Sequence, residues 1–460
     1  MKKKLFLLTS LFVLSSCGTT VDRDYVILYI WGDNSEVSSY EQIASDYEEL
    51  TGTEVRVIPA TDSYYNSLNI QLGSRNSAPD IFFTEGGEFP SHIASNKLLN
   101  LSPYIESGAL DVKTSENTDG TIELWDINDS YRYDGETIGT GDYYALIKDW
   151  SPDFVVWYNK DLFDLYNETN GFKEGDGGFL EYPSETVPMT WYEFYDLSYK
   201  FVGLDLGNGV KVENGTMLDR VPYKHLMEWI QMTGSSTWTE NGQEFNYQDE
   251  GVKKAFEFFI NLQNGDKKSA PIIGPTAVGS GDLFRNGQLP FCFYGNWAYS
   301  NYNWDTIGFD FGLCPPPVPA KSDGSAITEA DTYATSCGMI GLAVYKDSPV
   351  KDKAVDFLNY YMSEGQKTMA EKSFNIPGNK LVAESDDFMQ NEDANIAYIN
   401  EFFMNIATNY THQIEYNQYV SQEAFENIIG IYLIPYIENP SSSNLDTVLK
   451  NIHDNLLLEI

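Results

Sequence analysis

The sequence predicts an α/β fold in two domains, and three observations predict it. From Tyr25 to Asn96, short β-rich runs alternate with helix-period segments, the spacing of a parallel sheet crossed by helices. The 460 residues exceed one typical domain, so two are expected. A proline run, Pro315-Pro316-Pro317, stiffens the chain and suits a crossing between domains.

In order along the chain, Met1-Lys2-Lys3-Lys4 is followed by the apolar run Leu5–Leu14 and then Ser15-Ser16-Cys17-Gly18. A basic head, a short apolar stretch and small residues read as an export signal too short to span a bilayer. Leu14-Ser15-Ser16-Cys17 resembles the bacterial lipobox, in which the cysteine is lipidated and becomes the mature N-terminus, so residues 18–24 form a tether and the rest lies outside the cytoplasm, anchored to the membrane. Strands are expected at Tyr25–Ile30, Glu54–Ile58 and Pro79–Phe83, with helices opening at the capping box Ser39-x-x-Gln42, at Asp62 and at Phe89. Residues 106–142 break this rhythm with acidic, Gly- and Thr-rich sequence. Within them Ser115–Asp126 loosely matches a calcium loop, and a β-turn at Thr118–Gly120 accounts for the same residues better, so no metal is expected. Val155–Asn159 is a strand, Thr190-x-x-Glu193 a second capping box, and Leu226–Met232 and Val252–Leu262 are helices. Strands at Pro290–Tyr294, Phe309–Leu313 and Met339–Tyr345, a helix from Ser348-Pro349 and a largely helical C-terminal part complete the chain.

Composition excludes several classes. Sixty-eight acidic residues against 29 basic ones give a net charge of −39, the wrong sign for neutralising phosphates of nucleic acid or docking on anionic lipid. Cys292, Cys314 and Cys337 are too few for a disulfide scaffold, and their apolar settings suit buried thiols. His92, His225, His412 and His453 show no metal-ligand spacing, and no G-x-S-x-G occurs.

The most informative stretch is Leu283–Tyr299. A helix end, a turn at Asn286-Gly287 and an apolar strand lead to Gly295, with Trp297 just beyond. A flat ring parked past a strand end suits a ligand cleft, although a core tryptophan is the commoner fate of a Trp.

Several motifs then carry a resemblance. Ala78-Pro79-Asp80-Ile81-Phe82 is followed by Leu98–Tyr104, by Trp157-Tyr158-Asn159-Lys160-Asp161-Leu162-Phe163, and by Pro188–Phe194. Phe284-Arg285-Asn286-Gly287 runs on to Gly295-Asn296-Trp297, and Gly341–Ser348 precedes a helix. In this order they resemble the extracellular solute-binding proteins of bacterial ABC importers, the cluster that includes maltose- and multiple-sugar-binding lipoproteins. The resemblance implies a two-lobed periplasmic-binding-protein-like fold with discontinuous lobes, 25–150 plus 315–346 and 151–314 plus 347–460. Crossings would fall near Asp149–Phe154, Cys314–Pro317 and Tyr345–Val350, and a hinge would close the cleft around the ligand.

It also implies a monomeric, non-enzymatic carrier without cofactor, which captures a mono- or oligosaccharide and hands it to a membrane permease. Trp297 becomes the leading stacking platform, beside Gly295. Asp33, Asn34 and Glu85 follow first-lobe strands and are hydroxyl acceptors or merely solvated turn residues. Trp31 is rim or core. Trp229 and Trp238 flank a Gly-Ser-Ser turn where family members place cleft aromatics, with core packing an equal alternative for Trp229. Gly338 could offer a backbone N–H. Six arginines in the whole chain argue for a neutral polyol over an anion. The rival readings are a glycan-binding surface lipoprotein or adhesin and, further off, an exported glycoside hydrolase.

Overall fold

The computed structural model describes residues 23–459, apart from 33, 62, 117–121, 208, 219–221, 240–241, 273–278, 321–334, 373–374, 414–416 and 418. Cys17, Asp33 and the central part of the calcium-like loop therefore lie outside the described residues.

Two sheets organise the described chain. In the first, the order across the sheet is Val55–Pro59, Val26–Ile30, Ile81–Glu85, Thr335–Val344, Ala145–Pro152 and Ile376–Pro377, with Thr411–Gln413 paired to the start of Thr335–Val344. Val26–Ile30 runs parallel to both its neighbours, as the strand–helix alternation requires. Thr335–Val344 then runs antiparallel to Ile81–Glu85 and to Ala145–Pro152. The second sheet is Thr216–Met217, Phe291–Tyr294, Val155–Asn159 and Phe311–Cys314, with Val155–Asn159 antiparallel to both flanking strands. Its apolar sequence, VVWYN, is buried at every residue, as befits a strand covered on both faces.

The helices are set by their ends. Thr190 and Glu193 close a complete capping box on Trp191–Lys200, and Asp249 caps Glu250–Asn264 through the amides of Gly251 and Val252. The first helix, Asn34–Thr51, begins five residues before the expected Ser39 box, so Ser39 sits inside it, buried. Gly32, at φ 154°, ends the extended strand, and Glu36 in the first turn suits the helix N-terminus.

The lobes divide differently from the expectation. The first crossing is Asp153-Phe154, between strands of the two sheets. The proline run does not cross. The Trp191 indole donates to the Pro317 carbonyl at 2.9 Å and Val318 N donates to the Met189 carbonyl, which keeps this segment on the second lobe. The return to the first sheet comes between Ala320 and Thr335. Nor does the chain leave the first lobe at 347: Ile376–Pro377 pairs with Ala145–Pro152, and Tyr361 and Phe357 pack on Tyr40 and Tyr47 of the first helix. The helix Ala394–Tyr410 touches both sheets, with Phe403 on Trp157 and Tyr398 on Phe311. The third crossing lies between Gln413 and Val420, after which the helices Gln422–Glu438 and Leu445–Leu456 join the second core. Apolar periodicity shows that a helix is buried but not against which sheet, which is why this boundary was misplaced.

Among the described residues no helix is long and apolar enough to cross a membrane. The Ser115–Glu116 and Ile122–Glu123 strands pair as a hairpin, the arrangement a turn between them requires. Cys292 and Cys314 are free and buried.

Candidate functional site

In each lobe, strand ends converge on the crossings. In the first sheet Glu85 is level with Ile340, and Ile340 with Asp149; in the second, Tyr294 is level with Val155. The loops after Ile30, Glu85 and Tyr294 thus open at the junction of the lobes, where α/β sheets take ligands.

On the first lobe, Trp31 is half-buried and meets Tyr64, Phe83 and Tyr65 edge-on, at centroid distances of 4.5, 4.9 and 5.6 Å. The Tyr65 hydroxyl is buried with no partner among the described residues, and burial, helped by Glu85, pushes its pKa well up, so it stays a neutral donor. Glu85 is partly exposed at the end of its strand. Glu88 follows it, and burial, then Glu85, then Glu423 raise its pKa. Glu423 belongs to the second-lobe helix Gln422–Glu438, so Glu88 is influenced by carboxylates of both lobes.

On the second lobe, Trp297 is half-buried and lies edge-on to Tyr294 at 5.3 Å. Gly295 has no room for a side chain: a Cβ would stand 2.4 Å from the Trp297 indole nitrogen and 2.5 Å from Ser151 Oγ. The missing side chain lets the crossing strand and the indole close on one another, which fixes the ring. Gly338 is similarly crowded, its would-be Cβ 2.6 Å from Asp153 Oδ1. Asp153 is buried at the first crossing and pairs with Lys224 of the second lobe at 3.3 Å.

A buried charge cluster underlies the first-lobe loops. Lys148, with a side chain fully buried, contacts Asp149 and lies 3.0 Å from Glu36 Oε1. Burial opposes its charge, but the Asp149 and Glu36 carboxylates outweigh it and raise its pKa.

The structure therefore brings Trp31, Glu85 and Gly338 to the first-lobe side of the junction and Gly295 and Trp297 to the second-lobe side. Asn34 is exposed at the start of its helix. Trp229 has no exposed surface: it packs against Phe258 at 4.7 Å and against His225 and Phe293, so its ring offers no face to a ligand. Trp238, 5% exposed, packs on Phe425 and Phe245. Both indoles are core, because the apolar helix Pro222–Met232 and its following turn are enclosed by the helices at 250–264 and 422–438. Sequence reasoning missed Tyr65, Glu423 and the Lys148 cluster; a lysine inside the apolar run Tyr143–Trp150 was the available signal for the last. Among the described residues, no group of three or more His, Cys, Asp or Glu is placed to hold a metal ion.

Comparison with known proteins agrees with this architecture. The ABC substrate-binding protein Lmo0181 from Listeria monocytogenes, in complex with cycloalternan, superposes with a TM-score of 0.70 at 21% identity, covering 95% of this chain and 98% of that one. Maltose-bound MalE3 of T. maritima gives 0.67 at 16% identity, covering 95% and 100%. A solute-binding protein from Thermotoga lettingae, bound with α-D-tagatose, gives 0.68 at 17%, covering 95% and 100%. A search of curated protein sequences finds no match. Residues 42–396 match the bacterial extracellular solute-binding protein family, and with that match spanning most of its length the chain belongs to this family.

Proposed function

We propose that this protein is the extracytoplasmic substrate-binding component of an ABC importer, which captures a neutral mono- or oligosaccharide between its lobes and delivers it unchanged to a membrane permease. It acts as a monomer, without cofactor, and is held to the membrane by a lipid on Cys17. The observation that carries the reading is Trp297, a half-buried indole just past the end of the second-sheet strand Phe291–Tyr294, beside a Gly295 that has no room for a side chain. A sugar's C–H face stacks on such a ring. Trp31 supplies a second aromatic surface, from the opposite lobe, and Glu85 and Asn34 supply hydroxyl acceptors, joined in the proposal by Asp33.

The charge pattern supports a neutral ligand. Arg23, Arg56 and Arg132 are paired with Asp80, Glu54 and Asp129, and the junction lysines Lys148 and Lys224 already face carboxylates. A phosphate or carboxylate ligand would need such cations to itself. The ligands named for the similar structures, cycloalternan, maltose and tagatose, point to the same class.

Tryptophan fluorescence of the purified protein, titrated with mono- and oligosaccharides, tests the proposal. One sugar should give a saturable change and be recovered intact by chromatography. Trp297→Ala should weaken binding by about 2 kcal/mol, roughly thirtyfold in Kd. Silence across the panel from folded protein would assign the cleft to another class of solute.

A further inference from the structure

We propose that Lys148 is a positioning residue of the cleft: it holds Glu36 beside Trp31 to accept a ligand hydroxyl, and through Asp149 it ties that acceptor to the strand leading into the first crossing. The inference rests on the sugar reading above and deepens it.

A lysine with no exposed surface has to be compensated or its burial would be prohibitive. Asp149, its neighbour in the chain, could neutralise it alone, yet Glu36 is recruited from 112 positions away. The two carboxylates are not equivalent. The Asp149 side chain is 7% exposed and also accepts from Asn375 Nδ2 at 3.2 Å, so it is enclosed and engaged. The Glu36 side chain is 20% exposed, so it is the member of the cluster that reaches solvent.

Two contacts set the aim of Glu36. A Cβ on Gly32 would stand 2.7 Å from Glu36 Oε2, so the turn after Trp31 is glycine where the carboxylate lies along it. The Lys148 ammonium sits 4.6 Å from the Phe83 ring centroid, and the same ring takes the edge of Trp31 at 4.9 Å. Lysine, carboxylate and indole thus form one contiguous group. A sugar stacked on Trp31 would have a hydroxyl within reach of an ionised, immobilised acceptor, the stronger kind of hydrogen bond.

The remaining ionisable groups around the ammonium are tyrosines: Tyr40 from the helix Asn34–Thr51, Tyr361 from the π-helical segment Tyr361–Gly365, and Tyr64 from Tyr64–Leu72. Burial raises all three, so they stay neutral at ordinary pH. With Lys148 present, the cluster keeps its charge state across the neutral range and binding should not depend on pH. Without it, Glu36 and Asp149 face each other with no cation between them, and binding should become sensitive to pH.

The test measures Kd for the sugar found in the panel, from about pH 5 to pH 8, for the wild type, Glu36→Gln, Lys148→Met and Lys148→Arg, with folding followed by circular dichroism. The wild type should be flat with pH. Glu36→Gln should weaken binding about tenfold. Lys148→Met should bind more weakly, with a Kd that shifts several-fold over the range, and Lys148→Arg should restore the flat profile. Wild-type affinity in Glu36→Gln, or wild-type affinity and a flat profile in Lys148→Met, overturns the proposal while leaving the sugar reading intact. If Lys148→Met does not fold, Glu36→Gln and the profile of Lys148→Arg decide. A wild type silent to every sugar overturns the sugar reading itself, and with it the ligand assigned to Glu36.

Discussion

The two lobes hold their junction-facing ends rigid by opposite means. The first buries ions, with Lys148 held between Glu36 and Asp149. The second stacks rings: Trp191 lies parallel to Phe258 at 4.8 Å, His225 on Phe154 at 3.9 Å, and Trp229 among Phe258, Phe259 and Phe293. Ion pairs are directional and fix individual atoms, whereas aromatic packing fixes volume and tolerates small rotations. A cleft built from one of each has a polar side with preset acceptors and an apolar side that carries a fixed ring.

The sharpest way to break this contrast is Trp229→Ala. A fully buried indole should cost about 3–5 kcal/mol of stability on truncation, read as a large fall in Tm, while the remaining folded protein keeps wild-type sugar affinity. Lost affinity at an unchanged Tm would return Trp229 to the site.

Acid offers an intermediate test, because each lobe buries a histidine. Burial lowers His225 to about 3 and His92 to about 4, from an ordinary value near 6.5. Below about pH 6.5 the unfolded imidazoles bind protons that the folded ones refuse. The stability contributed is therefore complete above that pH and is lost as pH falls toward 4 and 3, by up to about 1.4 kcal/mol per unit for each group. Urea melts at several pH values should show this slope, and His225→Phe should remove the second lobe's share and leave that of His92. An unchanged slope would break the assignment.

The smallest effect is local. Thr190→Ala removes one arm of the capping box on the second lobe and should cost about 1 kcal/mol in denaturant melts, with Kd unmoved. A change in Kd would mean that the helix Trp191–Lys200 communicates with the cleft.

Sequence carried the alternating elements of the first sheet and the strand Val155–Asn159 well, since their patterns are local. It pointed to Trp297 because a glycine, a strand end and a ring are adjacent in the chain. It offered Trp238, and Trp229 as one of two equal alternatives, to the cleft because a tryptophan beside a turn reads alike whether the space around it is solvent or another helix. It missed the Lys148 cluster for the converse reason: its partners Glu36 and Phe83 stand 112 and 65 positions away, and only the folded sheet assembles them. The lobe boundary failed in the same manner, since the helices after Lys351 are periodic whichever core they serve.

The Arg23–Asp80 pair has a further consequence for how the molecule would hang from a surface. It fastens the start of the described chain beside the amino ends of Val26–Ile30 and Ile81–Glu85, whereas the cleft opens at their carboxyl ends. Between Cys17 and Arg23 lie only the residues 18–22, which fully extended span about 20 Å with their flanking bonds. A lipid on Cys17 would thus moor the first lobe by its keel on a short line, mouth outward, and the receptor would have to heel over, or slip the Arg23 fastening, to bring its mouth down to a transporter.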